Sequence, residues 1–346
     1  MKAFQVQLLL GVQHFLVDAI CIACLWGPVT ALCGNTQTGH FWVVFFISLY
    51  NLLAFCTQWM TGLACDLLKN DRLMHGIAAA ALASGTICCY FWPLLGVGLI
   101  GMGNSLFHVV GGRYVIMNAH DNAGPLGMFV APGALGLFIG GIFASFSWVF
   151  CCIMLINTVA ICRMLKDTAP ARVISEEDAE QPPRFVFDHV CLLAVVLILI
   201  CISCRAASGA IPFPGKKIPE FWQWLPVLMV FAGKSLGGFI GDRLGYIKAG
   251  SIALIAGTVL LAFCSHPAGY ITGQLLMNLL MALTLWQMSK VIPRYPGLAF
   301  GLAATVLVPG SWVRFSVEPL KVFLCLSGIS LICFIITQMI IKRKKI

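Results

Sequence analysis

The sequence has few charged residues for its length. Only 10% of its 346 residues are charged, and its 13 acidic residues are outnumbered by 22 lysines and arginines. A soluble protein of this size needs more polar residues to cover its surface, so the scarcity excludes an ordinary soluble domain. The remaining composition agrees, because 60% of the residues are hydrophobic and the mean hydropathy is +0.94. We therefore predict an all-α polytopic membrane protein.

Several motifs of known chemistry are also missing from the sequence. No G-x-x-x-x-G-K-[ST] loop occurs, so we do not expect ATP to drive the protein directly. The histidines form no H-E-x-x-H motif and have no paired carboxylates, which disfavours a membrane-embedded enzyme and predicts no metal or cofactor. Most of the 16 cysteines lie within apolar runs, and we interpret them as small packing residues.

Long apolar runs fill most of the chain, and many have the roughly 18–25 residues that span a bilayer as a helix. They predict twelve transmembrane helices at 5–33, 41–64, 75–93, 94–116, 126–145, 146–166, 189–212, 220–241, 247–265, 268–288, 296–316 and 319–341. The only long hydrophilic segment, 167–188, has the composition of a solvated linker. It divides the chain into an N-terminal half (1–166) and a C-terminal half (189–346) that ends in a basic tail.

Basic residues are distributed unequally between the two predicted membrane faces. If the N-terminus is cytoplasmic, the opposite face holds only Lys216, Lys217, Lys321 and Arg314. The positive-inside rule then places both termini in the cytoplasm. This asymmetry explains the net charge of +9 without a nucleic-acid partner. We expect a monomeric, multi-pass protein of a bacterial inner membrane.

Three landmarks recur at nearly the same offset in the two halves. They are Asp66 and Asp242 (242 − 66 = 176), Asn104 and Asn278 (278 − 104 = 174), and Gly127 and Gly301 (301 − 127 = 174). The shared offset indicates two related six-helix halves. Parallel halves of this kind are a known transporter plan, with the binding site between them near the membrane midplane.

Two segments resemble the loop motif of the major facilitator superfamily. GGFIGDRLGYIKAG (237–250) is similar to it throughout, and GLACDLLKNDRLMHG (62–76) is a weaker copy that keeps Asp66. Within that superfamily, HFLVDAICIACLWGP (14–28) and GMGNSLFHVVGG (101–112) are similar to the fosmidomycin-resistance group of drug efflux transporters, although Val109 replaces that group's proline. FVAPGALGLFIGG (129–141) resembles the fifth helix of antiporters. The resemblance implies the major facilitator fold and export of a drug or other small compound.

Ionisable side chains inside the predicted helices are candidates for proton coupling, because inserting each one costs roughly 2.5 kcal/mol or more. His14 and Asp18 are four residues apart and share a face of the first helix. A desolvated Asp18 facing a cavity is expected to exchange protons, with His14 tuning or relaying them. His108 lies on the fourth helix and is the next candidate. A role in helix packing alone remains the alternative for all three.

Four polar residues are predicted to contact substrate: Asn104, Arg205, Lys234 and Asn278. Arg205 and Lys234 cannot easily reach water from a lipid-facing position, so we expect them to face the interior and attract an anion. That anion is either a substrate group or Asp18.

Asp66, Asp242 and Arg243 are predicted to form a conformational latch. Glycines beside them allow close helix approach, and a carboxylate at a helix end can pair with a neighbouring cation in one conformation.

Together these features favour a proton-coupled secondary transporter that exports a small organic compound by alternating access, with protons and the compound as its partners. The compound is anionic if Arg205 and Lys234 face it. Uptake by proton symport and a receptor-like role without transport are the alternatives, and no cofactor is expected.

Overall fold

The computed structural model describes residues 2–166, 188–211, 220–312 and 318–344. Besides a short 3-10 turn at Glu220–Trp222, these residues form twelve successive helical segments, which we number α1 to α12. In chain order they are α1 (Lys2–Cys24, Leu25–Val29 and Thr30–Cys33), α2 (Gln37–Asn51, Leu52–Cys56 and Gln58–Leu68), α3 (Asp71–Cys88), α4 (Pro93–Asn118), α5 (Gly124–Val130 and Pro132–Ile142), α6 (Ala144–Phe146 and Ser147–Lys166), α7 (His189–Gly209), α8 (Leu225–Leu244), α9 (Tyr246–Phe263), α10 (Pro267–Val291), α11 (Pro296–Thr305 and Leu307–Trp312) and α12 (Pro319–Lys344).

Each predicted helix has a counterpart, and ten of the segments are long and apolar enough to cross a membrane. The other two are α3, which begins with Asp71 and Arg72, and α11, which is interrupted at Val306. That interruption lies about one turn before Pro309. Most of the predicted linker, 167–187, lies outside the described residues.

The first two helices contain π-helical turns that the hydrophobic pattern did not predict. In α1 the turn Leu25–Val29 surrounds Pro28, which has no N–H for a regular helical hydrogen bond. The hydroxyl of Thr30 donates to the Leu25 carbonyl at 2.7 Å and stabilises this turn. A second π-helical turn, Leu52–Cys56, interrupts α2 and contains no proline.

Glycines on α5 let its backbone lie directly against α1. A Cβ on Gly136 or Gly140 would collide with the backbone carbonyls of Phe15 and Ala19. A Cβ on Gly133 would collide with the side chains of His14 and Asp18. The Gly-rich sequence of α5 therefore brings its backbone close to the ionisable face of α1.

Two helix pairs make the most extensive contacts between the halves. α2 packs on α11, where the backbones of Gly62 and Gly297 meet, and α5 packs on α8, where Gly127 faces the Lys234 carbonyl. Since α8 and α11 are the counterparts of α2 and α5, the interface has two-fold pseudo-symmetry. The predicted arrangement of two pseudo-symmetric halves is confirmed.

Candidate functional site

Three ionisable side chains meet in the interior of the N-terminal half, and we call them the His–Asp cluster. His14 and Asp18 come from successive turns of α1, and His108 faces them from α4. The Nε2 atoms of the two histidines are 2.8 Å apart. Oxygens of Asp18 lie 3.4 Å from His14 Nε2 and 3.6 Å from His108 Nε2. All three residues are buried, with at most 7% of their surface exposed.

Backbone carbonyls determine which nitrogen of each histidine carries a hydrogen. His14 Nδ1 lies 2.8 Å from the Phe129 carbonyl of α5, and His108 Nδ1 lies 2.9 Å from the Asn104 carbonyl. Because a carbonyl only accepts, both Nδ1 atoms are donors, and both Nε2 atoms of neutral rings would present lone pairs. Two lone pairs at 2.8 Å repel each other, whereas one proton between them forms a hydrogen bond beside the Asp18 carboxylate. The geometry therefore favours one proton bound within the cluster.

Asn104 completes the surroundings of the cluster. Its Nδ2 lies 3.3 Å from Asp18 Oδ1 and 3.0 Å from the Tyr50 hydroxyl, and the side chain is fully buried. The structure thus places Asn104 beside the predicted proton site, and its contact with substrate stays a prediction.

The His–Asp cluster also has the donor set of a metal site. One ligand atom from each of its three residues lies within 4.8 Å of the others, and among the described residues no other such group of His, Cys, Asp and Glu occurs. Two imidazoles and a carboxylate are common ligands of zinc and iron. A shared proton would satisfy the same atoms without further ligands, so proton binding at the cluster stays a prediction.

A cavity of about 510 Å³ lies within the C-terminal half, and we call it the chamber. Residues from α7, α8, α9, α10 and α12 line it, including Arg205, Ser208, Val230, Leu261, Tyr270, Gln274, Asn278 and Phe323. Two of the predicted substrate residues, Arg205 and Asn278, therefore share one cavity. Lys234 of α8 does not line it, although it interacts electrostatically with both Arg205 and Asp18.

Asp18 was a candidate ion-pair partner for Arg205 or Lys234, and the structure gives it other partners. Within the described residues, its ion pairs involve His14 and His108 alone. Neither Arg205 nor Lys234 forms an ion pair with Asp18, although the charge of Lys234 is close enough to act on it.

Asp66 connects the N-terminal half to the beginning of α11. Its two oxygens accept hydrogen bonds from the backbone N–H groups of Gly297 at 2.9 Å and Leu298 at 2.8 Å. The positive end of the helix dipole stabilises a carboxylate in this position. Arg113 Nε donates to the same carboxylate at 3.0 Å.

Asp242 makes the equivalent connection from the C-terminal half to the beginning of α5. Its oxygens accept hydrogen bonds from the N–H groups of Ala123 at 2.8 Å and Gly124 at 2.9 Å, and from the Tyr246 hydroxyl at 2.7 Å. The Asp66 and Asp242 contacts, which we call the paired latches, link the halves at one end of the helices. Arg243 is exposed at the end of α8, and its part in a latch stays a prediction.

Arg113 is a site residue that sequence reasoning missed, because nothing in its sequence context shows that it is buried. The structure buries it, with 8% of its surface exposed, and pairs it with both Asp66 and Asp71. The available signal in the sequence was the pair of acidic residues, Asp66 and Asp71, on either side of the turn after α2, which can bind a buried cation. A contact between Lys290 and Asp121 joins the halves at the same end.

Neither a protein-family model nor a curated protein sequence matches the chain. Solved structures do match it over almost its whole length. The Escherichia coli fucose:proton symporter FucP is similar with a TM-score of 0.67 and 11% identity, covering 98% of this chain and 99% of that one. The human organic anion transporter MFSD10 (TETRAN) is similar with a TM-score of 0.63 and 14% identity, covering 97% and 99%.

A bacterial homologue of the iron transporter ferroportin, in an outward-facing state, is similar with a TM-score of 0.57 and 12% identity, covering 98% of each chain. The chain therefore has the fold of major facilitator superfamily transporters. The resemblance to the fosmidomycin-resistance group is not tested by these structures.

Proposed function

We propose that the chain is a proton-coupled secondary transporter that moves a small organic compound across the membrane by alternating access. The observation that carries the proposal is the His–Asp cluster, which has a place for one proton in the interior of a transporter fold. Asp18 is the central group of this site, and His14 and His108 share the proton with it. Substrate binds in the chamber of the other half, where Arg205 and Asn278 face it.

The paired latches support alternating access. They join the halves at the ends of α2 and α8 and the beginnings of α5 and α11, all on the face that we propose to be cytoplasmic. The chamber is lined by Ser208 and Ile211, which lie at the C-terminal end of α7. This end is opposite to the proposed cytoplasmic face. This arrangement suits an outward-facing conformation, and opening the latches would expose the sites to the cytoplasm. Lys234 and Asn104 are proposed to assist substrate binding in another conformation. Arg243 is proposed to assist the paired latches.

We further propose that the transporter is a monomer of a bacterial inner membrane, has both termini in the cytoplasm and works as an antiporter that exports its substrate. The similarity of 14–28 and 101–112 to the fosmidomycin-resistance group supports export. FucP, whose structure is similar, is a fucose:proton symporter, so uptake by symport is the alternative. The remaining alternative is a receptor-like protein that does not transport a substrate.

Sealed proteoliposomes with an internal pH-sensitive dye test the proposal. Fosmidomycin and a panel of organic anions are added outside, and proton movement is recorded. The proposal predicts proton flux that depends on at least one compound and is missing in protein-free liposomes. Folded protein that gives no flux with any compound would contradict transport, and the direction of proton movement relative to the compound distinguishes antiport from symport.

A further inference from the structure

We propose that the chamber binds a small hydroxylated organic anion and that Arg205 holds its carboxylate. This inference gives the substrate class of the proposed transporter. It rests on the proposed function, because the ligand that binds in the chamber is taken to be the compound that is transported.

Arg205 is a cation without an acidic partner in the described parts of the chain. Its Nε is buried and has no hydrogen-bond partner, and its Nη2 contacts the sulfur of Met281 at 3.3 Å. A thioether is a weak acceptor, so the guanidinium is largely unsatisfied. A buried charge without a counter-charge destabilises a protein, and a carboxylate entering the chamber would satisfy it with two parallel hydrogen bonds.

Arg113 provides a comparison within the same chain. It is a buried arginine, whereas Arg205 is half-buried, and two carboxylates, Asp66 and Asp71, satisfy it. The fold therefore supplies acidic partners where an arginine has a structural role. Arg205 lines a cavity instead, which is the position of a group that awaits a ligand.

Lys234 adds positive potential near Arg205. The two residues interact electrostatically, and no hydrogen bond or ion pair joins the Lys234 ammonium to another described residue. Two cations in a low-dielectric interior attract an anion more strongly than either would alone.

The remaining lining explains why the anion should carry hydroxyl groups. Tyr270, Gln274 and Asn278 are spaced by four residues on one face of α10, so they form a polar stripe about 12 Å long beside the chamber. Asn278 Nδ2 donates to the Gln274 carbonyl at 2.8 Å, which leaves its amide oxygen to accept from a ligand. An apolar ligand would leave these groups unpaired, so the stripe selects hydroxylated compounds.

The volume of the chamber limits the size of the ligand. A cavity of about 510 Å³ lies within the range of ordinary small-molecule sites and suits a compound with about the size of a sugar acid. Charge at one end and hydroxyl groups along the rest are the features that the lining recognises.

The first test needs no ligand. Thermal unfolding is measured in detergent for the wild type, Arg205→Met and the matched control Arg113→Met. Methionine is similar in volume but uncharged, so removing an unsatisfied charge should raise the unfolding temperature of Arg205→Met by about 2 °C or more. Arg113→Met should lower it, because Asp66 and Asp71 lose their partner. A fall for Arg205→Met would overturn the inference, since it would show that Arg205 has a structural partner.

The second test uses three six-carbon probes in calorimetric binding measurements. Gluconate has both the charge and the hydroxyl groups, hexanoate has only the charge, and glucose has only the hydroxyl groups. Gluconate should bind the wild type at least tenfold more tightly than either of the others and should lose that advantage in Arg205→Met. Equal binding of gluconate and glucose, or no binding of gluconate at millimolar concentrations, would contradict the proposed class.

These tests are independent of transport, because they use detergent-solubilised protein without a gradient. Anion binding without any flux in liposomes would leave the substrate class standing and contradict the transporter. Proton flux that is the same in Arg205→Met and the wild type would support the transporter and contradict the proposed substrate class.

Discussion

Gly133 shows how a residue without a side chain determines the geometry of the His–Asp cluster. A Cβ at this position of α5 would overlap His14 Nε2 and Asp18 Oδ2. The glycine therefore allows the α5 backbone to approach α1 so closely that the Phe129 carbonyl reaches His14 Nδ1 at 2.8 Å. That contact makes His14 Nδ1 the donor and hence directs Nε2 toward the place of the proposed shared proton.

Gly133→Ala is expected to displace the two side chains and to destabilise the protein by about 1–3 kcal/mol, the usual cost of overpacking a core. Gly141 lies on the same helix with open space around it, so Gly141→Ala is the matched control. It should leave stability unchanged or raise it by up to about 1 kcal/mol. Thermal unfolding in detergent measures both, and equal effects of the two substitutions would argue against the tight α1–α5 contact.

The proposal that the cluster binds a proton rather than a metal predicts that transport does not depend on metal ions. Proton flux in proteoliposomes should be the same before and after treatment with a strong chelator. Titration with zinc should show no tight binding to the cluster. Any weak binding should therefore be the same in the wild type and in His108→Gln. Loss of flux on chelation, with recovery on adding one metal, would show that the three side chains are metal ligands.

At the scale of helices, the paired latches repeat one design in both halves. The acceptors Asp66 and Asp242 are 176 positions apart, and the donor amides of Ala123 and Gly297 are 174 apart (297 − 123 = 174). The offset seen in the sequence thus reappears as a structural repeat. In each latch, the aspartate of one half binds the N-terminus of a helix in the other half. The two latches therefore hold the halves together at the same end of the helices.

Asp66→Ala should release the N–H groups of Gly297 and Leu298 and increase their hydrogen exchange about tenfold, because each loses a charge-assisted hydrogen bond. Asp242→Ala should do the same to Ala123 and Gly124. Hydrogen–deuterium exchange of peptides covering the starts of α5 and α11 measures both effects, and each variant is the control for the other. Exchange that is unchanged in both variants would exclude the latches as constraints on these helices.

The helices could be predicted from the sequence because apolar length and turn signals act locally. The pairing of His14 with Asp18 was visible in their four-residue spacing, and so was that of Asn104 with His108. Which faces of α1 and α4 meet depends on contacts between distant segments, and one sequence does not reveal them. The same limit applies to Arg113, whose acidic partners lie 42 and 47 positions away, and to the π-helical turns, which preserve the hydrophobic pattern.

For the whole molecule, the two candidate sites lie in different halves. The His–Asp cluster belongs to α1 and α4, and the chamber is lined by helices of the C-terminal half. Rocking of the halves about the α2–α11 and α5–α8 contacts would change the access of both sites together. In the proposed mechanism, this rocking would link proton binding in one half to substrate binding in the other.

The proposed orientation predicts the result of reporter fusions. Green fluorescent protein fused after Lys344 should fluoresce, whereas alkaline phosphatase at that position should be inactive, because the proposed orientation puts the end of α12 in the cytoplasm. A truncation fused after Ile211, beyond α7, should give the reverse pattern and serves as the control. Phosphatase activity at the C-terminal fusion would place the termini outside.

Proton flux in proteoliposomes containing the wild type, Asp18→Asn or Asp71→Asn tests the central claim most directly. Asp71 is a carboxylate of the same half that pairs with Arg113 rather than with the His–Asp cluster, so it is the matched control. The account predicts compound-dependent proton flux in the wild type and in Asp71→Asn, and movement of the compound without protons in Asp18→Asn. Proton flux that persists in Asp18→Asn at the wild-type rate would contradict the assignment of the coupling site.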